Sequence, residues 1–229
     1  MQNSLAQKDS TLYLEFLTGL FAGLLIISNI ASTRLVTLGF LEFDAGTLIF
    51  PLTYIFGDLV TEVYGYARFR RIIWTALICL TLSFLVMKII TFLPAPAGLS
   101  QASAWNEIIG LTPRIMIASL IAFWVGEFAN AILVSKMKSK NPHQGPAGRF
   151  VVSTLVGQAF DTTIFALIAF YGILSQEGFV TLLYSNYIFK VGIEILFLPL
   201  TLFIVRNVKR AEKLDVLDTQ VSLNPFAWR

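Results

Sequence analysis

Residues 179–205 read FVTLLYSNYIFKVGIEILFLPLTLFIV, a run long enough to cross a lipid bilayer as one helix. Lys190 and Glu194 are the only acidic or basic residues in this run. Their i,i+4 spacing places them on one helix face, where they can form an ion pair. Because charge in hydrocarbon is costly, that face is expected to line the protein interior or a polar cavity. The run therefore predicts a membrane-spanning helix that carries charge inward.

The rest of the chain repeats this apolar character. Six spans are predicted, at residues 12–31, 45–64, 72–93, 115–135, 151–171 and 179–205. The second, which carries Pro51, Gly57, Asp58 and Glu62, is weaker and is expected to be partly broken, while the last is long enough to tilt or to project into the cytoplasm. Of the 229 residues, 56% are hydrophobic and 14% are charged. We predict a single all-α integral membrane domain over residues 1–229, with six transmembrane helices.

Histidine and cysteine are nearly absent from the chain. Cys79 is the only cysteine and lies in an apolar stretch, which excludes an internal disulfide and a cysteine metal cluster. His143 is the only histidine and lies in a polar loop, so zinc hydrolysis and Ser-His or Cys-His catalysis lack their usual residues. The sequence also contains no Walker-type phosphate loop. These patterns predict no enzyme activity, no metal site and no bound cofactor.

The basic residues predict how the chain is oriented in the membrane. Four basic regions alternate with loops that are poor in basic residues. They are Lys8; Arg68, Arg70 and Arg71; Lys136, Lys138, Lys140 and Arg149; and Arg206, Lys209, Arg210 and Lys213. Since basic residues favour the cytoplasmic side, six spans with both termini in the cytoplasm bring all of these regions to that side. We interpret them as orientation signals that contact anionic membrane lipid rather than nucleic acid.

Polar side chains lie at a similar depth in four of the predicted spans, counted at about 1.5 Å per helical residue. They are Asp58, Glu127, Gln158, Asp161, Lys190 and Glu194. Glu62 and Asn130 lie about one turn from Asp58 and Glu127, on the same helix faces. A buried charge in a span is expensive, so a purely structural role for all of these residues is a poor explanation. We predict that the eight residues line one substrate-binding chamber.

Several alternatives stay open at these positions. Asp58 and Glu62 are neighbouring anions, so one is protonated or a cation reaches them, with Lys190 and the arginines at 68, 70 and 71 as candidates. Glycines at 57, 126 and 157 precede polar residues and either allow close helix packing or leave room for a ligand. The carboxylates could also relay protons. Segment 94–112, with Trp105, lies at the membrane interface or covers the chamber.

The side chains of the chamber suit a polar heterocycle. The edge of a guanine-like base presents an N–H beside an amino group, which one carboxylate can accept through two hydrogen bonds. The neighbouring carbonyl oxygen of such a base needs a donor, and Lys190, Asn130 or Gln158 can supply it.

Specific motifs run through most of the chain. They are residues 43–47 (FDAGT), 50–58 (FPLTYIFGD), 61–66 (TEVYGY), 112–114 (TPR), 126–130 (GEFAN), 136–138 (KMK) and 153–158 (STLVGQ), with Asp161, Thr162, Phe165, Lys190, Glu194 and Pro199. In these motifs the sequence resembles the queuosine-precursor transporter family of bacterial inner-membrane proteins, which is also grouped with vitamin-uptake transporters. The resemblance covers about residues 12–206.

The resemblance implies import of 7-deazaguanine precursors, 7-cyano-7-deazaguanine or 7-aminomethyl-7-deazaguanine, for synthesis of the tRNA nucleoside queuosine. It implies a fold similar to the substrate-binding subunits of energy-coupling-factor transporters, working without the ATPase module. The expected partners are the small-molecule substrate, membrane lipid and, as one option, a second copy of the chain in a homodimer. The main alternative is an importer of another heterocyclic vitamin or nucleobase on the same fold. An intramembrane enzyme and a membrane scaffold explain the buried polar residues less well.

Overall fold

A computed structural model describes residues 12–39, 41–96, 100–110 and 112–227 of the chain. Lys8, used above for orientation, lies outside the described residues, as does part of segment 94–112. The elements in chain order are α1 (Leu14–Ala31), β1 (Leu35–Leu38), β2 (Leu41–Asp44), the 3-10 helix η1 (Ala45–Leu48), α2 (Phe50–Tyr64), α3 (Tyr66–Ile90), α4 (Ser100–Gly110), α5 (Thr112–Lys140), α6 (Ala147–Phe170) and α7 (Gln176–Glu212). The prediction of a mainly helical protein is confirmed.

Five of the α-helices in the described part of the chain are long and apolar enough to cross a membrane. These are α1, α3, α5, α6 and α7. The 37 residues of α7 make it the longest; at 1.5 Å per residue it is about 55 Å long, well beyond a hydrocarbon core of about 30 Å. The expectation that the last span is longer than the membrane requires is therefore confirmed.

The second predicted span is divided. It consists of η1 and the 15-residue α2, with Pro51 in the first turn of α2, where proline is tolerated. At about 22 Å, α2 is too short to cross the hydrocarbon alone. Most of its residues are buried against α1, α3, α5 and α7, so its backbone ends need not face lipid. α2 is thus the central helix of the bundle.

A β-hairpin precedes η1 and departs from the all-α prediction. Strands β1 and β2 pair antiparallel with Leu35 opposite Asp44, and Gly39 in the connection has a φ of 64°, a conformation that glycine adopts without strain. The ring of Phe43 stacks on Phe189 of α7 at a centroid distance of 4.5 Å. The hairpin therefore packs against the first half of α7, and it places Asp44 beside that part of the bundle.

The segment between α3 and α5, predicted as a long loop, contains the short helix α4. This helix packs against α5, and Trp105 remains 38% exposed. Trp105 lines neither of the cavities described below. The position of Trp105 favours the interfacial interpretation over a cover for the chamber.

The chain after α7 folds back on the bundle. Lys213 adopts a left-handed conformation, with a φ of 52°, and ends the helix. The backbone N–H of Val216 then donates to the carbonyl of Val63 at the end of α2, at 3.2 Å. Residues 213–227, called the tail here, therefore cover the ends of the helices that carry the predicted chamber.

Candidate binding chamber

The bundle brings all of the predicted binding residues into its interior. α2 carries Asp58 and Glu62, α5 carries Glu127 and Asn130, α6 carries Gln158 and Asp161, and α7 carries Lys190 and Glu194. None of these residues exposes more than 5% of its surface. Seven of them, all except Glu62, lie on or around the middle of α2. This set is called the chamber below.

The ion pair within the chamber joins α6 to α7. Lys190 Nζ lies 2.8 Å from Asp161 Oδ2 and 4.4 Å from the ring centre of Phe50, a cation–π distance. Glu194 instead accepts from the Thr154 hydroxyl at 2.7 Å and from the Gln158 amide. The predicted pairing of Lys190 with Glu194 is therefore wrong. Both side chains share a face of α7, but that face meets α6, which offers each of them a separate partner.

Glu127 is the unusual member of the chamber. It is fully buried, and neither carboxylate oxygen has a hydrogen-bond partner among the described residues. Asn130 donates to Asp58 at 2.8 Å, but its own Oδ1 is also unpartnered, as are Gln158 Oε1 and the Tyr54 hydroxyl. Buried polar atoms are normally hydrogen-bonded, and leaving them unpaired costs free energy. Among the described residues, the chamber thus holds several acceptors that lack donors, together with the unpartnered Tyr54 hydroxyl, which can donate or accept.

The glycines before the polar residues serve close packing. A Cβ on Gly126 would lie 2.4 Å from the Tyr54 hydroxyl oxygen, and one on Gly57 would lie 2.9 Å from Glu127 Oε2. A Cβ on Gly157 would lie 3.0 Å from the Asn130 Cβ. These distances leave no space for a larger residue. Of the two interpretations offered by the sequence, close approach of the helices is the one that the structure supports.

Small cavities flank the chamber. One lies beneath the β-hairpin, at what we call the hairpin end; it has a volume of about 20 Å³ and is lined by Asn29, Asp44, Phe50, Asp161 and Lys190, among others. The second, of about 10 Å³, lies beside Asp58 and Glu194. A volume of this size holds roughly one water molecule. The conformation is therefore closed around the chamber, and a bicyclic base requires the helices to move apart.

Glu62 belongs to a separate ion-pair network at the opposite end of α2, which we call the tail end. Arg149 makes a bidentate contact with its carboxylate at 2.6 and 2.8 Å, and Lys209 lies at 2.5 Å. Lys138 lies 3.8 Å away. The cations proposed from the sequence, Lys190 and the arginines at 68, 70 and 71, are not those that pair with Glu62. Helices α5, α6 and α7 supply the partners because their ends converge around α2.

The tail adds Asp215 to this network. Asp215 lies 2.5 Å from Lys138 Nζ and 2.9 Å from Lys209 Nζ. Burial alone would raise the pKa of Asp215, but hydrogen bonds and charge from the two lysines outweigh it and hold the pKa below its ordinary value. The carboxylate thus joins the tail to α5 and α7 through two ion pairs.

Carbonyl groups of the tail anchor it to α3. The Arg70 guanidinium donates to the carbonyls of Ser222 and Asn224 at 2.8 and 3.0 Å, and the Trp74 indole donates to that of Pro225 at 2.9 Å. Phe226 packs against the Trp74 ring at a centroid distance of 5.7 Å. Arg70, predicted as an orientation signal, therefore also holds the tail against the bundle.

The sequence interpretation missed the polar residues of the hairpin end. Asp44 caps η1 by accepting from the backbone N–H of Thr47 at 3.1 Å, and it accepts from the Ser32 hydroxyl at 2.6 Å. Asn29 is buried nearby and its Oδ1 is unpartnered. The signal was present in the motif FDAGT, because Asp is among the residues most favoured at a helix N-cap.

No group of three or more His, Cys, Asp or Glu residues that could hold a metal ion occurs in the described part of the chain.

Comparisons with known proteins identify relatives of the chain. Residues 44–204 match the model of a family described as "Putative vitamin uptake transporter". Over 176 residues the chain is 29% identical to a protein named "Probable queuosine precursor transporter" from Bacillus subtilis, with 76% of each chain covered. A protein of the same name from Haemophilus influenzae is 27% identical over 180 residues, covering 76% of this chain and 73% of that one. No solved structure matches the chain significantly.

Proposed function

The chain belongs to the vitamin uptake transporter family, and we propose that it imports 7-deazaguanine precursors of queuosine across the bacterial inner membrane. Family membership and the apolar helices make it a multi-pass membrane transporter rather than an enzyme. The curated relatives named queuosine precursor transporters support the choice of substrate.

The proposal includes the arrangement in the membrane. The single domain crosses six times, with α2 and η1 together as the short second crossing inside a ring of the other helices. Both termini lie in the cytoplasm, because the basic clusters then face the cytoplasm together. On this orientation the hairpin end faces outward and the tail end faces the cytoplasm. As the family resemblance implies, the proposed fold is that of the substrate-binding subunits of energy-coupling-factor transporters, and a homodimer is the proposed assembly.

One observation carries the choice of a donor-rich heterocycle, namely the unpartnered acceptors around Glu127. Both of its oxygens, with Asn130 Oδ1 and Gln158 Oε1, are buried and lack donors in the part of the chain that the structure describes. The edge of a deazaguanine carries an N–H and an amino group side by side, which supply donors to a carboxylate in the bidentate arrangement. Binding such a base would replace unsatisfied acceptors with hydrogen bonds, so the base gains more than an apolar ligand would.

The remaining chamber residues have complementary roles in this proposal. Asp58 and Asp161 assist in recognising donors of the base, and Asn130 and Gln158 also contact its carbonyl or ring nitrogens. Lys190 balances the charge of Asp161, its partner at 2.8 Å. The closed conformation admits the base only after the helices separate, so transport proceeds by alternating access around the chamber.

The test uses a bacterial host that neither synthesises nor imports the precursors. Queuosine in tRNA is measured by mass spectrometry after the host expresses the chain and receives a low dose of each precursor. Glu127→Gln keeps the shape of the side chain and breaks no existing hydrogen bond, so it is expected to leave folding intact and to reduce uptake roughly 10- to 100-fold.

The matched control is Glu107→Gln, which neutralises an exposed carboxylate on α4 and is expected to behave as wild type. Unchanged uptake by Glu127→Gln would refute the role of the chamber. A well-expressed wild type that restores no queuosine would refute the proposed substrate and direct the search to other heterocycles.

A further inference from the structure

We propose that the cavity at the hairpin end binds a positively charged amine of the substrate, and that Asp44 recognises it. The inference rests on the proposed function and adds a preference to it: among the 7-deazaguanine precursors, the cationic aminomethyl form is favoured over the neutral nitrile form.

Aromatic rings line the cavity, and one cation already lies beside them. The rings of Phe50 and Phe165 line it, and Lys190 Nζ lies 4.4 and 5.9 Å from their centres. Aromatic faces attract cations within about 6 Å. Asn29 also lines the cavity, is 4% exposed and has an Oδ1 without a donor. The walls therefore combine aromatic rings with a buried acceptor that lacks a partner among the described residues.

Asp44 is a buried carboxylate without a counter-ion among the described residues. It is 2% exposed, and its partners are the Ser32 and Thr47 hydroxyls, the Thr47 N–H and the Asn186 amide. Across the described residues no basic side chain lies within 4.0 Å of it, whereas Asp161 in the same cavity is paired with Lys190. The cavity thus has two carboxylates for one cation. An incoming ammonium group would supply the missing charge.

Asp44 can accept a hydrogen bond from the ammonium group while its side chain keeps its position. The Ser32 hydroxyl has one hydrogen and two acceptors in reach, Asp44 Oδ1 at 2.6 Å and the Ser28 carbonyl at 2.9 Å. When this hydrogen turns to Ser28, one position on Asp44 becomes available to the ligand while the contacts to Thr47 continue to hold the side chain.

Size and hydrogen-bonding chemistry distinguish the two precursors. A cavity of about 20 Å³ holds roughly one water molecule, and an ammonium head has about the same size. The head can therefore occupy the cavity while the base lies in the chamber beyond Asp161. An ammonium has three donors for Asn29 Oδ1 and Asp44, whereas a nitrile has none and would face acceptors only.

The experiment measures uptake of radiolabelled 7-aminomethyl-7-deazaguanine and 7-cyano-7-deazaguanine by the purified full-length chain in liposomes. The wild type is expected to prefer the amine, and Asp44→Asn is expected to lower the ratio of amine to nitrile uptake at least about tenfold. Both substrates are measured on one preparation, so the ratio does not depend on the fraction of folded protein. Glu177→Gln, which removes an exposed carboxylate at the start of α7, is expected to keep the wild-type ratio.

A second variant keeps the test decisive if Asp44→Asn fails to fold. Asn29→Asp adds a carboxylate to the cavity and is expected to raise the ratio. Three outcomes would overturn the inference but not the proposed function. They are equal losses of uptake of both substrates in Asp44→Asn, an unchanged ratio in Asn29→Asp, and a wild type that prefers the nitrile. Uptake of neither precursor by the wild type would instead overturn the proposed function, and the inference with it.

Discussion

The two ends of the bundle differ in whether their buried carboxylates are paired with basic side chains. At the tail end, three basic side chains, Arg149, Lys209 and Lys138, lie within 4.0 Å of Glu62. At the hairpin end, Asp44 is as buried as a core residue but has only hydroxyl and amide partners among the described residues. A cavity lies beside Asp44, while the tail covers the other end.

This difference indicates which end holds the bundle together and which end is prepared to bind. Charges that are paired and hydrogen-bonded resist separation, because removing one partner leaves the other buried and uncompensated. Unpaired acceptors beside a cavity instead gain from a ligand. We therefore expect substitutions at the tail end to affect mainly stability, and substitutions at the hairpin end and in the chamber to affect mainly transport.

The largest effect is expected from Arg149→Met. The variant leaves Glu62 fully buried without its bidentate partner, so it should lower the free energy of unfolding by about 3–5 kcal/mol. Thermal unfolding in detergent measures the change. Arg206→Met, which removes an exposed arginine at the same end, should unfold as wild type. Equal stability of Arg149→Met and wild type would abolish the distinction between the two ends.

Removing the tail should have the next largest effect. A chain that stops after Lys213 loses the contacts of the tail, including the acceptors of Arg70 and Trp74, and at about 1 kcal/mol per hydrogen bond these three bonds alone account for about 3 kcal/mol. Fluorescence should shift to longer wavelength, because Trp74 and Trp124 both lose their contact with Phe226.

Leu217→Ala is the control for this truncation, since it alters an exposed residue of the tail and keeps the anchoring contacts. The truncated chain should retain the substrate preference of the hairpin end. A truncation that unfolds and fluoresces as wild type would show that the tail does not stabilise the tail end.

The smallest effect is expected when the pH is lowered. The pKa of Asp215 lies below its ordinary value of 3.8, so its contribution to holding the tail is complete above pH 3.8 and is lost as the pH falls through the lowered value. Tail release, followed by limited proteolysis at decreasing pH, should begin only below pH 3.8. In Asp215→Asn this acid-dependent step should disappear; release at the same pH in the variant would assign the step to other groups.

Much of the fold was predictable because hydrophobic patterns report on a bilayer directly. The long apolar runs predicted α1, α3, α5, α6 and α7, and the buried position of Asp58, Glu127 and Glu194 followed from their depth within apolar runs. A partly broken second span was expected because that span carries Pro51, Gly57, Asp58 and Glu62. The hairpin was missed because β1 and β2 are only four residues each, too short for a clear alternation.

Partner choice was the part that sequence reasoning predicted badly. Lys190 and Glu194 share a face, yet each pairs with α6, through Asp161 and through Gln158 with Thr154. Spacing along a helix predicts which side chains are neighbours on that helix. It does not predict which other helix those side chains will contact. The position of the tail was not predicted from the sequence, since its anchors are backbone carbonyls whose acceptor role carries no sequence signal.

The sequence by itself determined the class of protein, the five long helices, the polar residues that lie within apolar runs and the family. It could do so because transfer from water to hydrocarbon depends on each residue's own chemistry and on its order in the chain. Only the tertiary structure decided that Glu62 is neutralised at the tail end, that Glu127 is left without donors and that Asp44 lies beside an aromatic cavity. Those outcomes depend on the distances between helices far apart in sequence, and a few ångströms separate a paired carboxylate from one that needs a ligand.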